Sequence, residues 1–171
     1  VGGATEAEAA ASATAIVNRV KNLLGSATNQ LGIVVDLDLR PEGKNGPMSR
    51  TIESHREYAQ RWASTWERQA AVRARPIGEG SLADSARALF DELAYGGVSE
   101  SDVRDIRLLK ARMENERLPR GIEPARHVKL GPGGLTDVEW TIQLIQMRAG
   151  MTNPALRTPS TTQAILSARE H

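Results

Sequence analysis

The sequence predicts a mainly α-helical chain with one extended segment near its start. Three observations predict it. From Ser49 onward the apolar residues recur at three- and four-residue spacing, the period of one helix face. Thr5–Glu8, Ser64–Glu67, Ser99–Asp102 and Thr136–Glu139 each place an acid three positions after a hydroxyl residue, the capping-box signature of a helix start. Against these stands a single strand-like run, Ile33-Val34-Val35, within residues 31–39.

Taken in order, Thr5 and Glu8 open an alanine-rich helix with apolar Ile16, Val17, Val20, Leu23 and Leu24, and Gly25 is its stop. The strand over 31–39 runs into a turn from Pro41 to Pro47. One strand cannot stand alone, so its sheet partners are expected outside this chain. The start, Val1-Gly2-Gly3-Ala4, lacks a methionine and runs straight into a helix, which also predicts a piece of a longer polypeptide. Ile52, His55, Tyr58, Trp62 and Trp66 share helical spacing, and Ser64–Glu67 restarts or continues that helix. The Tyr58–Trp62–Trp66 stripe reads as core rather than as a stacking platform for a nucleotide base. Another helix covers about 82–94. Ser99 and Asp102 start a long one with Val103, Ile106, Leu109 and Met113 on one face. Residues 119–134 form a loop rich in proline and glycine. Helix 136–148 is apolar on two sides, Val138, Ile142 and Ile145 on one and Trp140, Leu144 and Met147 on the other. Such a helix is buried between neighbours, so residues 49–171 are a helical region leading into a bundle. A short last helix begins near Ser160.

Composition narrows the function classes. The 171 residues carry 22 basic and 21 acidic side chains, so no field for nucleic acid is announced. With no cysteine there is no disulfide scaffold, thiolate zinc site or catalytic thiol. No apolar run approaches the ~18 residues of a membrane span, and no signal peptide opens the chain, so a cytoplasmic protein without a membrane partner is expected. His55, His127 and His171 have no ligand spacing, and no Ser/His/Asp arrangement is suggested.

Two stretches could do chemistry. Asp36 and Asp38 are two residues apart, so in a strand they share a face, with Arg40 and Lys44 close behind. Paired carboxylates beside cations are the equipment of a Mg²⁺ and nucleotide-phosphate site; a buried strand ending in a polar turn would look the same. Gly25-Ser26 ahead of Asp36 and Asp38 fits a nucleotidyltransferase signature literally. That match is a decoy, since nothing after residue 49 reads as a later strand with a third carboxylate. The second stretch, Lys129-Leu130-Gly131-Pro132-Gly133-Gly134, leads into a helix beginning at Thr136. Free N–H groups at Gly131, Gly133 and Gly134, the helix dipole and the Lys129 charge make an anion site in principle, and a purely structural turn is the other reading. Asp137 and Glu139 fit a first helical turn by the dipole alone. Arg73 and Arg75 could reach phosphates or line a solvated face.

Three motifs in order resemble glutamine synthetase adenylyltransferases: Asp36 to Pro47 (DLDLRPEGKNGP), Thr65 to Ala70 (TWERQA) with Arg73 and Arg75, and Lys129 to Trp140 (KLGPGGLTDVEW). The Lys129 to Asp137 loop is also similar to one in the related uridylyltransferases that modify the PII signal protein. The resemblance implies a bifunctional enzyme, each half a DNA polymerase β-like nucleotidyltransferase domain followed by a helical bundle. One half attaches AMP from ATP to a tyrosine of glutamine synthetase, and the other removes it by phosphorolysis. The run Arg107 to Gly121 resembles the adenylylating, C-terminal half. On this resemblance residues 1–48 are the C-terminal part of an α+β palm and 49–171 its helical region. Asp36 matches the third metal-site carboxylate, the first two lying on a strand this chain does not contain. Asp38, a second candidate metal ligand, matches no required acid of the pattern. Arg40, Lys44, Lys129, Gly131, Gly133 and Gly134 become candidate nucleotide contacts. Mg²⁺ and ATP are the implied cofactor and substrate, and glutamine synthetase and PII the implied partners. The isolated chain is expected to be inactive, and a non-catalytic docking module is the alternative of another class.

Overall fold

The computed structural model describes residues 5–25 and 32–170. Among these it is helical throughout, with no strand: α1 (Glu6–Gly25), α2 (Ile52–Arg61), α3 (Thr65–Ala71), α4 (Ser81–Tyr95), α5 (Glu100–Arg117), α6 (Leu135–Ala149) and α7 (Thr161–Arg169). Single 3-10 turns interrupt the loops at Gly43–Asn45, Pro124–Arg126 and Pro154–Leu156. The chain divides into two compact units, residues 1–62 and 63–171.

In the first unit the expected capping box opens α1. The Glu8 carboxylate accepts from Thr5 N at 2.8 Å, and Glu8 N donates to Thr5 Oγ1 at 3.3 Å. Hydrogen bonds from Thr5 N and Thr5 Oγ1 hold the Glu8 carboxyl below its usual value. The expected strand over 31–39 is not formed at its described residues, 32–39, while Leu31 and Ser26 lie outside the described residues. Ile33 N donates instead to Leu24 O at the end of α1, 2.9 Å away. A strand exists only where a neighbour completes its ladder, and here the segment meets a helix end. Ile33, Val34 and Leu39 remain in solvent, Val34 at 91% exposure, as do Ile16, Val20, Leu23 and Leu24 of α1, while Val35 and Leu37 are half-buried. Ser49 Oγ fastens the chain beyond the turn back to α1, at 3.3 Å from both Thr14 Oγ1 and Ala10 O.

The aromatic stripe is not core. Trp62 is 73% exposed and Trp66 is also exposed. The reason is the second capping box: Ser64 takes an extended backbone (φ −77°, ψ 162°) to cap α3, which ends the helical register carried by α2. Helical spacing across that break no longer means one face.

The second unit packs α3 on α4, α5 and α6, with α6 also against α4 and α7. Its core gathers Ala71, Val72, Ala94, Tyr95, Ile106 and Met147, with Phe90, Leu93, Trp140 and Leu144 around them. The expected stripe on α5 contributes buried Val103 and Ile106, with Leu109 and Met113 half-buried. Helix α6 departs from expectation in two respects. Its N-cap is Gly134, because the Thr136 hydroxyl turns back to donate to Lys129 O at 2.6 Å and is unavailable as a cap. Nor is it buried on both sides: Val138 and Ile145 are exposed, and the covered face includes Gln143 and Gln146 beside Ile142 and Met147. Those buried amides are satisfied. Gln69 donates to Gln143 at 2.8 Å, and Gln146 Nε2 donates to Leu156 O and Thr158 O at 2.6 and 2.8 Å.

Candidate functional site

In the first unit, Asp36, Asp38, Arg40 and Lys44 come together in one turn. Asp36 Oδ1 accepts from Asp38 N at 2.8 Å, which curls the chain into a side-chain-stabilised bend. Arg40 then clasps the loop it opens, donating from Nη1 to Leu37 O at 2.6 Å, from Nε to Gly46 O at 3.1 Å and from Nη2 to Lys44 O at 3.2 Å. The turn closes on Glu42, whose backbone is left-handed (φ 63°), and whose carboxylate meets Arg50 at 2.7 Å. Arg50 lies over the Tyr58 ring, 5.6 Å from its centre, which ties the turn to α2. The Lys44 ammonium and the Asp38 carboxylate form an exposed pair at 3.4 Å.

The donor set of this turn fits Mg²⁺ in part. Asp36 and Asp38 supply hard carboxylate oxygens on the solvent side of the turn. Among the described residues no group of three acidic or histidine side chains converges. Mg²⁺ commonly takes one or two carboxylates and completes its shell with water and substrate phosphates, so two acids are compatible with a share of such a site.

In the second unit the glycine loop is closed by its own hydrogen bonds. Leu130 N donates to His127 Nδ1 at 2.9 Å, Gly131 N to His127 O at 2.7 Å and Gly134 N to Gly131 O at 2.8 Å. Leu135 N and Thr136 N donate to Val128 O and Lys129 O. Gly133 N donates to the Asp137 carboxylate at 2.6 Å. Each glycine N–H thus has an acceptor inside the chain, while the Lys129 side chain stands in solvent. Glycine is required at two of these positions for different reasons. A Cβ on Gly131 would run into Pro124 O, and Gly133 has φ 74°, where side chains are disfavoured.

Sequence reasoning missed the residue that anchors this loop. Lys110 of α5 reaches both Asp137 and Glu114, and its side chain is only 16% exposed. Burial pulls the Lys110 ammonium down, but the two carboxylates outweigh it and hold its pKa up. Asp137 is held below its ordinary value by Lys110 and by Gly133 N–H. The Glu114 pairing is legible as an i,i+4 contact, whereas Asp137 lies 27 residues away and gave no signal. Arg73, just beyond α3, is exposed but engaged: it pairs with Glu139 of α6 at 2.9 Å and donates to Thr161 Oγ1 of α7.

The helical chain that carries this acidic turn and this glycine loop is similar to adenylyltransferases. The model of the glutamate–ammonia ligase adenylyltransferase family matches residues 1–89, and the chain belongs to that family. A bifunctional glutamine synthetase adenylyltransferase/adenylyl-removing enzyme of Cutibacterium acnes is 49% identical over 156 residues, 90% of this chain and 16% of that protein. Its counterpart in Streptomyces coelicolor is 46% identical over 171 residues, 98% of this chain and 17% of that protein. That of Mycobacterium tuberculosis is 44% identical over 166 residues, 95% and 17% respectively. The chain spans about one sixth of the length of the curated relatives it matches. No helix among the described residues is long and apolar enough to cross a membrane.

Proposed function

We propose that this chain is part of an enzyme that transfers AMP from ATP to a tyrosine of glutamine synthetase and so regulates nitrogen assimilation in the cytoplasm, and that PII is its signalling partner. The observation that carries the reading is family membership through residues 1–89, which include the Asp36 to Pro47 turn. In this reading Asp36 is a metal ligand and Asp38 an accessory one. Mg²⁺, when bound, would neutralise charge on the ATP phosphates. Lys44 and Lys129 offer solvent-facing ammonium groups to phosphate oxygens. Arg40 spends three of its five N–H groups on the turn, leaving two for a phosphate. Gly131, Gly133 and Gly134 shape the loop that presents Lys129. The tyrosine oxygen attacks the α-phosphorus, its proton passes to the Asp36 carboxylate, and pyrophosphate leaves. The work of the residues is positioning and charge stabilisation.

The relatives' names include adenylyl removal, which supports a second reading: the chain lies in the half that removes AMP with phosphate as nucleophile. One pair of assays on the complete polypeptide separates the readings. Asp36→Asn is tested with glutamine synthetase and ATP, and with adenylylated glutamine synthetase and phosphate. Loss of attachment with removal intact supports the first reading, and the reverse supports the second. Retention of both contradicts a catalytic role and leaves docking of glutamine synthetase or PII.

A further inference from the structure

We propose that Lys110 is a positioning residue for nucleotide binding: it holds Asp137, which holds Gly133 N–H, so that the loop presents Lys129 in one fixed arrangement. The inference rests on the reading that Lys129 contacts nucleotide.

Four features carry it. Lys110 is largely withdrawn from water, and a buried ammonium is retained only where carboxylates answer it, here Asp137 from α6 and Glu114 from its own helix. Asp137 has both oxygens committed across two elements, Oδ1 to Lys110 and Oδ2 to Gly133 N at 2.6 Å. Gly133 is the left-handed residue of the loop, so its N–H sets the direction in which the chain turns into α6. Lys129 is fixed at the other side of the same turn, because Lys129 O accepts from both Thr136 N and Thr136 Oγ1 at 3.0 and 2.6 Å. Removing the Lys110 ammonium leaves Asp137 beside Glu114 with no cation between them. Two like charges then oppose each other, and Asp137 loses the partner that orients it. The loop's backbone hydrogen bonds remain possible, but the Asp137 carboxylate is no longer oriented to select one arrangement.

The test uses the complete polypeptide and reads KM for ATP and kcat separately, well below the melting temperature. Lys129→Ala sets the reference. Lys110→Met is expected to raise KM for ATP about tenfold with kcat at saturating ATP within about twofold. Lys110→Arg should restore most of the loss. Asp137→Asn should raise KM similarly, and Lys110→Met with Asp137→Asn should be no worse than either alone, because both break one linkage. If Lys110→Met cannot be purified folded, Asp137→Asn alone decides. Unchanged KM in Asp137→Asn or Lys110→Met, beside a raised one in Lys129→Ala, overturns this proposal alone. Unchanged KM in Lys129→Ala overturns both it and the nucleotide role of the loop. A fall in kcat and melting temperature without a KM change would make the linkage purely structural and overturn the proposal.

Discussion

At the scale of single residues, the two stretches that carry chemistry use their charges differently. Arg40 is turned inward on three carbonyls of its own loop, while Lys44 and Lys129 stand in solvent. Binding energy from phosphate should therefore rest on the lysines. Lys129→Ala in the complete enzyme is expected to weaken ATP binding by one to two decades, about 1.5 to 3 kcal/mol for a charge-assisted contact. Its melting temperature without nucleotide should stay within about a degree, because an exposed lysine adds little to stability. Calorimetric titration of ATP checks the first and thermal melting the second; unchanged affinity would leave the loop a turn and nothing more. These residues were legible in sequence as types and spacing. What spacing could not supply was occupancy: nothing local says that Gly133 N–H is taken by Asp137, or that Arg73 is claimed by Glu139 and Thr161.

Among elements, capping chemistry was the most readable feature and packing direction the least. Thr5–Glu8, Ser64–Glu67 and Ser99–Asp102 cap their helices as the sequence implies, since a capping box needs only residues three apart. Thr136–Glu139 fails because a long-range acceptor, Lys129 O, competes for the hydroxyl. The strand at 31–39 fails for a related reason, since its bonding depends on a neighbour that its own residues do not specify.

The Ser99–Asp102 box shows what such a cap is worth. Burial alone would raise the Asp102 carboxyl, but hydrogen bonds from the Ser99 side chain and backbone and from Thr65, with the charge of Arg68, hold it at about 2 against an ordinary 3.8. A depressed folded-state pKa means stability present above about pH 4 and lost as pH falls toward 2. Asp102→Asn should cost about 1 to 2 kcal/mol at neutral pH, and that difference from the parent chain should shrink on acidification below pH 4. Urea unfolding at a series of pH values reads it directly. A constant difference down to pH 2 would contradict the assignment. At the glycine loop, Gly131→Ala has no room beside Pro124 O and should destabilise the second unit by about 1 to 3 kcal/mol, measured as a lowered midpoint in the same unfolding experiment.

The whole molecule is about one sixth of the polypeptides it resembles, and its surface is consistent with that. In the first unit Ile16, Val20, Leu23, Ile33 and Val34 are exposed, and in the second Leu135, Val138, Ile145 and Leu166 are. The mainly helical class was readable because helix periodicity and caps are local. The division after Trp62 was not, because it follows from which helices share a core rather than from a change in composition. We propose Asp36 as a metal-site carboxylate of an AMP-transferring enzyme. That central claim is tested most directly by the rate of AMP attachment to glutamine synthetase as a function of Mg²⁺, comparing Asp36→Asn and Asp38→Asn with the parent in the complete polypeptide. A lost metal-site carboxylate is worth several kcal/mol, so Asp36→Asn should fall by about two to four orders of magnitude at every Mg²⁺ concentration, with circular dichroism unchanged. Asp38→Asn should fall by less than about tenfold. Turnover of folded Asp36→Asn within about threefold of the parent across the Mg²⁺ range would contradict the claim.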